Sequence, residues 1–252
     1  MISGAHGWLA AVEPDFHPGG VDHIAALLVT VAVAGGMVLW ARRNSASRRL
    51  RLVEVGLGIT LIASWPSMIL VAWWQDWLSW EVALPLHWCN VATGIAALAL
   101  LLRHQRLAEL TWFWGLAGTT HGLLTPVMLG QGFPSFWFFV YFIGHSGVII
   151  AALHLVLGRG LIPTRGAVWR VFGWAQVYLL VAWVANLIIG SNFAFLSGKP
   201  AEGSLLDYLG PWPYYILVFQ ILGLTMFWLL DLPFQIARRS RHRTAGAGET
   251  GL

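Results

Sequence analysis

Long runs of apolar side chains constrain the fold of this chain more than any motif does. Of its 252 residues, 58% are hydrophobic and only 10% are charged, whereas about a quarter of the residues in a soluble domain carry charge. A helix of about 20 residues crosses the ~30 Å hydrocarbon core of a bilayer. Runs of that length predict seven spans, at 24–41, 52–74, 82–102, 110–129, 136–157, 171–193 and 212–236. The sequence therefore predicts an all-α, polytopic membrane protein folded as a seven-helix transmembrane bundle.

Arginine residues indicate which end of the predicted bundle faces the cytoplasm. They fall in four segments, namely after the first, third, fifth and seventh predicted spans. With seven spans, all four segments lie on one side of the membrane, and basic loops are retained in the cytoplasm. The sequence therefore predicts an external N-terminus and a cytoplasmic C-terminus. The short arginine loops are expected to contact anionic lipid headgroups rather than nucleic acid.

The two ends of the chain differ in composition from the spans. Residues 1–23 lack the basic start and the cleavage site of a signal peptide, so they are predicted to form an external tail. Residues 237–252 are basic and are predicted to form a disordered cytoplasmic tail. Residues 24–236 show no internal repeat and are predicted to form one transmembrane domain. The single cysteine excludes an internal disulfide.

Several polar side chains fall at a similar depth in the outer half of the predicted spans. The layer contains His87, Cys89, Asn90, His121, His145, Asn186 and Gln220. At a rise of 1.5 Å per residue, the histidines and Cys89 lie roughly 8–13 Å below the outer surface. Polar groups inside a bilayer are costly and tend to face the interior of a bundle, so this layer is a candidate site.

Each member of the layer also has a purely structural interpretation. A lone cysteine in an apolar helix is most often a small hydrophobic side chain. Histidine and asparagine side chains in membrane helices often serve as hydrogen-bonding groups between or within helices. His121, close to Thr125, and Asn186 both fit that interpretation.

The position of Cys89 favours a chemical role. Pro85 suits the first turn of a helix, so the regular helix of the third span is predicted to begin there and to place Cys89 near the positive end of the helix dipole, which favours a thiolate. His87, a second catalytic candidate, is two residues away and points to a different face. The base for Cys89 must therefore come from another helix. His145 is the predicted base, and Tyr141, one turn earlier, is predicted to orient its imidazole.

Five motifs occur in order along the membrane domain: LPLHWCN, TWFWGLAGTTHGLLTP, GHSGVIIAAL, GSNFAFLSGKP and SLLDYLGPWPYYIL. Together they resemble the YwaF-like family of bacterial integral membrane proteins, which implies a multi-pass protein of the bacterial cytoplasmic membrane. That family is distantly similar to the eukaryotic transmembrane acyltransferase that moves polyunsaturated acyl chains onto ether lysophospholipids through a cysteine. The resemblance implies that Cys89 is the nucleophile and that His145 corresponds to the family's fifth-span histidine. The chain departs from the family at Val127, where an acidic residue is usual, and at His121, where a histidine is often lacking.

Lipid acyl transfer or ester hydrolysis is the chemistry that this combination predicts, with a membrane phospholipid as substrate and no cofactor. A thiolate attacks an ester carbonyl, and a histidine protonates the leaving oxygen. Asn90 or Asn186 is predicted to donate an amide N–H to the developing oxyanion. An external segment after the sixth span is predicted to cover the site and to contact the lipid phosphate. The supporting residues predicted there are Lys199, Asp207 and Tyr208, together with Asn192 at the end of the sixth span. A packed external loop with no role in the site is the alternative.

Two other functions fit the same polar layer. In the first, His87, His121 and His145 hold a zinc ion and the protein is a membrane metallohydrolase. No two of these histidines are at i, i+4 spacing, and the layer offers no acidic residue as a base. In the second, the protein is no enzyme, and the layer binds a small molecule or stabilises the bundle.

Overall fold

The computed structural model describes residues 16–126, 132–200 and 205–249, and these residues are helical with no strand among them. The α-helices are α1 (Val21–Arg43), α2 (Arg48–Trp74), α3 (Trp80–Ala83), α4 (Trp88–Leu102), α5 (Gln105–Trp114), α6 (Thr120–Leu124), α7 (Phe136–Leu153), α8 (Ala167–Ile189) and α9 (Tyr214–Glu249). A π-helical segment, Gly115–Thr119, joins α5 to α6, and another, His154–Gly158, continues α7. Short 3-10 turns occur at Phe193–Phe195 and Leu205–Leu209. The predicted all-α class is confirmed.

Six helical stretches in the described residues are long and apolar enough to cross a membrane. They are Val21–Arg43, Arg48–Trp74, Trp80–Leu102, Phe136–Gly158, Ala167–Ile189 and Tyr214–Ser240. These stretches match six of the seven predicted spans to within a few residues. Large apolar side chains cover their outer surfaces, and Ile188, for example, is 79% exposed. The chain is therefore a multi-pass membrane protein.

The fourth predicted span, 110–129, is not among these six stretches. Its residues belong to α5, the π segment and α6, which form one continuous helical path ending at Leu124. The path packs closely on its neighbours, because a Cβ at Gly118 would lie only 2.2 Å from Nε1 of Trp88. A π turn inside a helix shifts the residues that face each neighbour. The predicted end of this span, with Val127, lies outside the described residues.

The third predicted span, 82–102, is interrupted by a non-helical stretch at residues 84–87. Helix α4 begins at Trp88, so the prediction that its first turn contains Pro85 is wrong. Leu84 is extended, with φ −102° and ψ 128°, because a following proline disfavours the helical conformation sterically. The break leaves the carbonyl of Leu86 outside the helix, and the hydroxyl of Tyr178 donates to it at 2.8 Å.

Helix α4 lies at the centre of the bundle. Its small side chains are almost completely buried, with Ala92 at 1% exposure and Ala96, Ala97 and Ala99 at 0%. Small residues allow helix backbones to approach closely in a membrane, and α4 contacts α2, α5 and α7. The helix that carries Cys89 is therefore surrounded by other helices.

Glu54, a fully buried residue of α2, is the centre of a cluster of cations at one end of the bundle. Its Oε1 accepts hydrogen bonds from Nε2 of His154 at 2.6 Å and from Nε of Arg159 at 2.5 Å. Its Oε2 accepts from Nε of Arg103 at 2.9 Å and from a terminal nitrogen of Arg51 at 3.3 Å. These partners come from α2, the C-cap of α4 and the segment that follows α7, so one carboxylate joins three elements.

A second buried carboxylate, Glu109 of α5, strengthens the same end. It accepts hydrogen bonds from a terminal nitrogen of Arg170 at 3.0 Å and from the hydroxyl of Thr164 at 2.6 Å. In the same region, Arg238 of α9 donates to the carbonyl of Pro163 at 2.7 Å. The four arginine-bearing segments therefore lie together, and we call this end of the bundle the arginine end.

The predicted tails are only partly within the described residues. Residues 1–15 and 250–252 lie outside them. Helix α1 begins at Val21, and α9 continues as a helix to Glu249, well past the start of the predicted disordered tail at 237.

Replacement of Glu54 by glutamine is expected to destabilise the protein. Glutamine keeps the shape of the side chain but leaves the surrounding cations without a negative charge. Removing one partner of a fully buried ion pair costs about 3–5 kcal/mol, and the partial exposure of Arg51 and Arg103 makes the lower figure the expected one. Thermal unfolding of the detergent-purified protein measures the effect. Asp76→Asn, which neutralises an exposed carboxylate, is the control and should leave the midpoint unchanged. An equal midpoint for Glu54→Gln and Asp76→Asn would contradict the prediction.

Candidate active site

A cavity of about 710 Å³ lies between α2, α4 and α7, in the half of the bundle opposite the arginine end. Helix α2 contributes Leu61, Ile62, Trp65 and Met68, α4 contributes Cys89, Asn90, Thr93 and Gly94, and α7 contributes Trp137, Tyr141, Gly144 and His145. Most of these side chains are apolar. The predicted nucleophile and the predicted base therefore line the same cavity.

Glycine residues on facing helices explain why this space stays open. A Cβ at Gly94 would have nothing within 4 Å, and one at Gly144 would have only Oγ1 of Thr93, 3.8 Å away. On the α2 side the cavity reaches the outer surface of the bundle, since Ile62 and Trp77 line it while remaining 46% and 45% exposed. Lipid is the expected neighbour of that surface, so the cavity is accessible from the membrane.

Cys89 is the second residue of α4 and lies in its first turn. The N-cap is His87, and the sequence correctly predicts a position near the positive end of the helix dipole, although the helix begins three residues later than expected. The thiol is free, and the backbone carbonyl of Cys89 accepts a hydrogen bond from Oγ1 of Thr93 at 2.7 Å. Among the described residues, no hydrogen bond joins the sulfur of Cys89 to His145. The two groups therefore line one cavity without a direct hydrogen bond between them.

His145 is held in one orientation by α7 and α6. Its Nδ1 donates to the carbonyl of Tyr141 at 2.9 Å, and its ring stacks on the Tyr141 ring with centroids 4.1 Å apart. The hydroxyl of Tyr141 in turn donates to the carbonyl of Gly122 at 2.6 Å. Because a carbonyl can only accept, the proton of the neutral ring is assigned to Nδ1, and Nε2 remains the basic nitrogen. Tyr141 thus holds the imidazole in one orientation.

His87 does not join Cys89 and His145 in the cavity. Its ring packs edge-on against Phe193, with centroids 5.3 Å apart, in the segment that follows α8. The proline-induced break before α4 makes His87 an N-cap rather than part of the helix, which changes the direction of its side chain. Asn90, three residues later, does line the cavity beside Cys89.

The three histidines of the zinc alternative have separate surroundings. His121 is exposed on α6, and its Nε2 lies 3.4 Å from the hydroxyl of Thr125. His87 packs on Phe193, whereas His145 lines the cavity. Within the part of the chain that the structure describes, no group of three or more His, Cys, Asp or Glu side chains is arranged to hold a metal ion. The arrangement therefore does not favour a zinc hydrolase.

Asn186 and Asn192 stabilise the segment that follows α8. The Asn186 side chain donates to the carbonyl of Phe193 at 3.0 Å and accepts from its N–H at 2.7 Å. Asn192 donates to the carbonyl of Gly198 at 2.9 Å. Because the Asn186 amide is engaged with the backbone in this way, Asn90 is the one of the two predicted oxyanion donors that lines the cavity.

The charged residues of the same external segment interact with one another. Nζ of Lys199 lies 3.7 Å from Oδ1 of Asp207 and 5.7 Å from the ring centroid of Tyr215. Tyr208 is 87% exposed. None of the described side chains of this segment lines the cavity, and its role as a cover of the site stays a prediction.

Hydrophobic walls suited to acyl chains are expected for such a site, but the individual residues that form them were not predicted. A search for polar groups does not detect Trp65 or Met68, which shape the α2 side. Gly94 and Gly144 could have indicated the cavity from the sequence. A glycine inside an apolar span is not needed to form a turn, so it marks a place where the helix lacks a side chain.

Filling the cavity at Gly94 is expected to protect Cys89 from alkylation. Gly94→Leu directs a side chain into open space and should slow labelling of Cys89 by N-ethylmaleimide in membranes several-fold. Intact-mass analysis reports the reaction cleanly because the chain has one cysteine. Gly223→Leu, at an open position of α9, is the control and should label like the wild type. Equal labelling rates in both variants would show that the reagent reaches Cys89 by another route.

Adding a methyl group at Gly122 is expected to disturb His145. A Cβ there would lie 2.8 Å from Cδ2 and 2.9 Å from Nε2 of the imidazole, which Tyr141 holds in place. Overpacking of this kind costs about 1–3 kcal/mol, so Gly122→Ala should lower the thermal unfolding midpoint. Gly35→Ala in α1, where nothing lies within 4 Å, should leave the midpoint unchanged or raise it slightly. A Gly122→Ala midpoint at the Gly35→Ala value would contradict the described packing.

Comparison with known proteins identifies the family of this chain. The model of the TMEM164 family matches residues 19–231, a segment that includes Cys89, His145 and the cavity they line. No curated protein and no solved structure matches the chain. The family match extends over well more than half of the sequence and over the membrane-spanning stretches as far as the middle of α9. The chain therefore belongs to the TMEM164 family.

Proposed function

We propose that this protein is a membrane enzyme that transfers or hydrolyses an acyl group of a lipid, with Cys89 as nucleophile and His145 as base and acid. The observation that carries the proposal is that a free thiol and an oriented imidazole line one apolar cavity. Family membership agrees with a membrane protein but does not assign an activity.

The shape and chemistry of the cavity support a lipid as the substrate. Ligand cavities are typically apolar with a few polar groups that fix orientation. Here the apolar walls of α2, including Leu61, Ile62 and Met68, suit an acyl chain, and Cys89, Asn90 and His145 supply the polar groups. The exposed surface of Ile62 allows a lipid to enter from the membrane without passing through water.

The first half of the proposed reaction forms a thioester. Apolar walls favour a neutral thiol, so Cys89 requires a base, and His145 takes its proton through a bound water or the substrate. The thiolate attacks the carbonyl carbon of the lipid ester, a C–S bond forms, and the ester C–O bond breaks. The protonated imidazole then gives its proton to the departing glycerol oxygen.

The second half returns the enzyme to its starting state. A lysolipid hydroxyl or a water gives its proton to His145 and attacks the thioester carbonyl. The C–S bond breaks, and the thiolate of Cys89 is reprotonated from the imidazole. A lysolipid acceptor makes the protein an acyltransferase, whereas water makes it a hydrolase.

Asn90 is the proposed oxyanion donor. It lies one residue after Cys89 in the first turn of α4 and lines the same cavity. A preorganised amide donor at a developing oxyanion contributes about 3–4 kcal/mol to transition-state stabilisation. The N-terminus of α4 adds a favourable dipole for the same negative charge.

We also propose that α5, the π segment and α6 form a further crossing, which makes seven. Two contacts support this topology. Gln105, at the start of α5, donates to the carbonyl of Ile162 at 2.9 Å at the arginine end. Leu123, at the end of α6, accepts from Nε2 of His23 near the start of α1 at 2.7 Å. With seven crossings and cytoplasmic arginines, the N-terminus is external and the C-terminus is cytoplasmic.

The proposed location is the cytoplasmic membrane of a bacterium. The sequence motifs that resemble the YwaF-like family, and more distantly the eukaryotic ether-lipid acyltransferase, support both this location and the cysteine mechanism. Phospholipids are the proposed substrates in the outer half of the bilayer, where the cavity lies if the arginine end is cytoplasmic.

Intact-mass analysis after incubation with phospholipid tests the reaction. Purified protein should gain the mass of one acyl chain, and hydroxylamine should remove it because a thioester is cleaved under mild conditions. Cys89→Ala should show no adduct. His145→Gln should form the adduct roughly 10²-fold more slowly, the lower range for loss of a general acid–base group.

His121→Gln is the matched control, since it changes an exposed histidine that does not line the cavity. Its adduct should form at the wild-type rate. Absence of any adduct in the wild type, together with unchanged phospholipid after long incubation, would overturn the proposed chemistry. Co-purification of lipid in that case would favour a lipid-binding protein that performs no reaction.

A further inference from the structure

A second cavity, of about 250 Å³, lies at the arginine end between the start of α8 and the last membrane-facing turns of α9. It is remote from the Cys89 cavity and shares no lining residue with it. Its lining combines arginine and tryptophan side chains. The principal lining residues are Arg165, Trp169, Trp228, Asp231, Arg238 and Arg239.

The cavity carries an excess of positive charge. Asp231 is buried, and its carboxylate accepts hydrogen bonds from Arg238 at 3.0 and 3.1 Å and from Gln235 at 2.8 Å. This pairing fixes Arg238 against the wall and neutralises it. Arg165 and Arg239 also line the cavity and are exposed, so its lining holds three arginines and one carboxylate.

The backbone adds to this positive potential. Helix α8 begins at Ala167, directly after Gly166, whose φ of 73° reverses the chain into the helix. The positive end of the α8 dipole therefore lies beside this cavity, which Gly166 and Val168 line. Helix N-termini surrounded by arginine are favourable sites for phosphate oxygens.

Two tryptophans place the cavity at the boundary between headgroups and acyl chains. Trp169 is 57% exposed and Trp228 is 40% exposed, and their rings meet edge-to-face with centroids 5.9 Å apart. Tryptophan is enriched at this level of a bilayer because its ring is apolar and its N–H is polar. A molecule in this cavity can therefore have an anionic part among the arginines and an apolar part along the tryptophans.

We propose that this cavity binds the phosphate of an anionic phospholipid headgroup from the inner leaflet. The phosphate contacts Arg165 and Arg239, the acyl chains follow the outer surface beside Trp169 and Trp228, and Asp231 holds Arg238 so that one wall is preorganised. The site does not depend on the chemistry proposed for Cys89. Its function is to bind lipid between α8 and α9 and so to stabilise their contact.

Native mass spectrometry of the full-length protein, titrated in detergent with phosphatidylglycerol or phosphatidylcholine, tests this site. Wild-type protein should retain a first phosphatidylglycerol in preference to phosphatidylcholine. The double variant Arg165→Gln/Arg239→Gln should reduce that preference roughly tenfold, since each basic residue near a membrane contributes about 1 kcal/mol to binding an anionic lipid. Both residues are exposed, so the variant should fold, and thermal unfolding checks this.

A matched control separates a built site from general charge attraction. Arg48→Gln/Arg49→Gln removes the same charge from exposed positions at the arginine end that do not line the cavity. It should keep the wild-type preference. Equal losses in the two double variants would overturn the proposal, because the attraction would then depend on total charge alone.

Inorganic phosphate provides the last test, because it shares the chemistry of the headgroup. Millimolar phosphate should stabilise the wild-type protein less than phosphatidylglycerol does, as it cannot use the tryptophan surface. Equal stabilisation by phosphate, with no preference for phosphatidylglycerol over phosphatidylcholine, would identify a soluble anion as the occupant and overturn the lipid assignment.

Discussion

The pairing of the buried Glu54 carboxylate with surrounding cations is the interaction on which the arrangement of the bundle depends. Between apolar helices in a bilayer there is no hydrophobic force that selects one alignment, because lipid tails are as apolar as the side chains. A buried charge is different, since leaving it unpaired is costly. Glu54 therefore fixes the axial positions of α2, the end of α4 and the segment after α7 relative to one another. Its partners are Arg51, Arg103, His154 and Arg159.

Helix α4 transmits this constraint to the candidate site. Its C-cap is Arg103, which contacts Glu54, and Cys89 lies at its other end. The 15 residues of α4 span roughly 22 Å, so the ion-pair cluster and the cavity occupy opposite halves of the bundle. In the half of the bundle at the arginine end, ionic contacts and fully buried alanines hold the helices together. Facing glycines leave the other half open enough for a lipid, and the second, cationic cavity lies outside this core between α8 and α9.

The structure brings some of the predicted site residues together and separates others, for identifiable reasons. Tyr141 and His145 lie one turn apart on an unbroken helix, so helical periodicity gives their contact directly. The same periodicity fails for His87, because Pro85 breaks the helix before it and the side chain then meets Phe193. Asn186 is predicted to face the site, but the chain after α8 folds back over it. The Asn186 amide therefore forms two hydrogen bonds with the backbone of Phe193. The significance of Glu54 was not predicted, because its partners are separated from it by as many as 105 residues.

Hydropathy and residue spacing by themselves determined the membrane class, six of the membrane-spanning helices, the candidate nucleophile and the candidate base. These are local properties, set by the free energy of placing side chains in lipid and by the period of the helix. Only the tertiary structure decided that Cys89 and His145 share a cavity, that the arginine segments meet at buried carboxylates, and that α8 and α9 enclose a cationic pocket. Those features depend on which helices are neighbours and how they are aligned. Long-range ion pairs and close glycine contacts determine that alignment, and a single sequence does not show which distant residues form them.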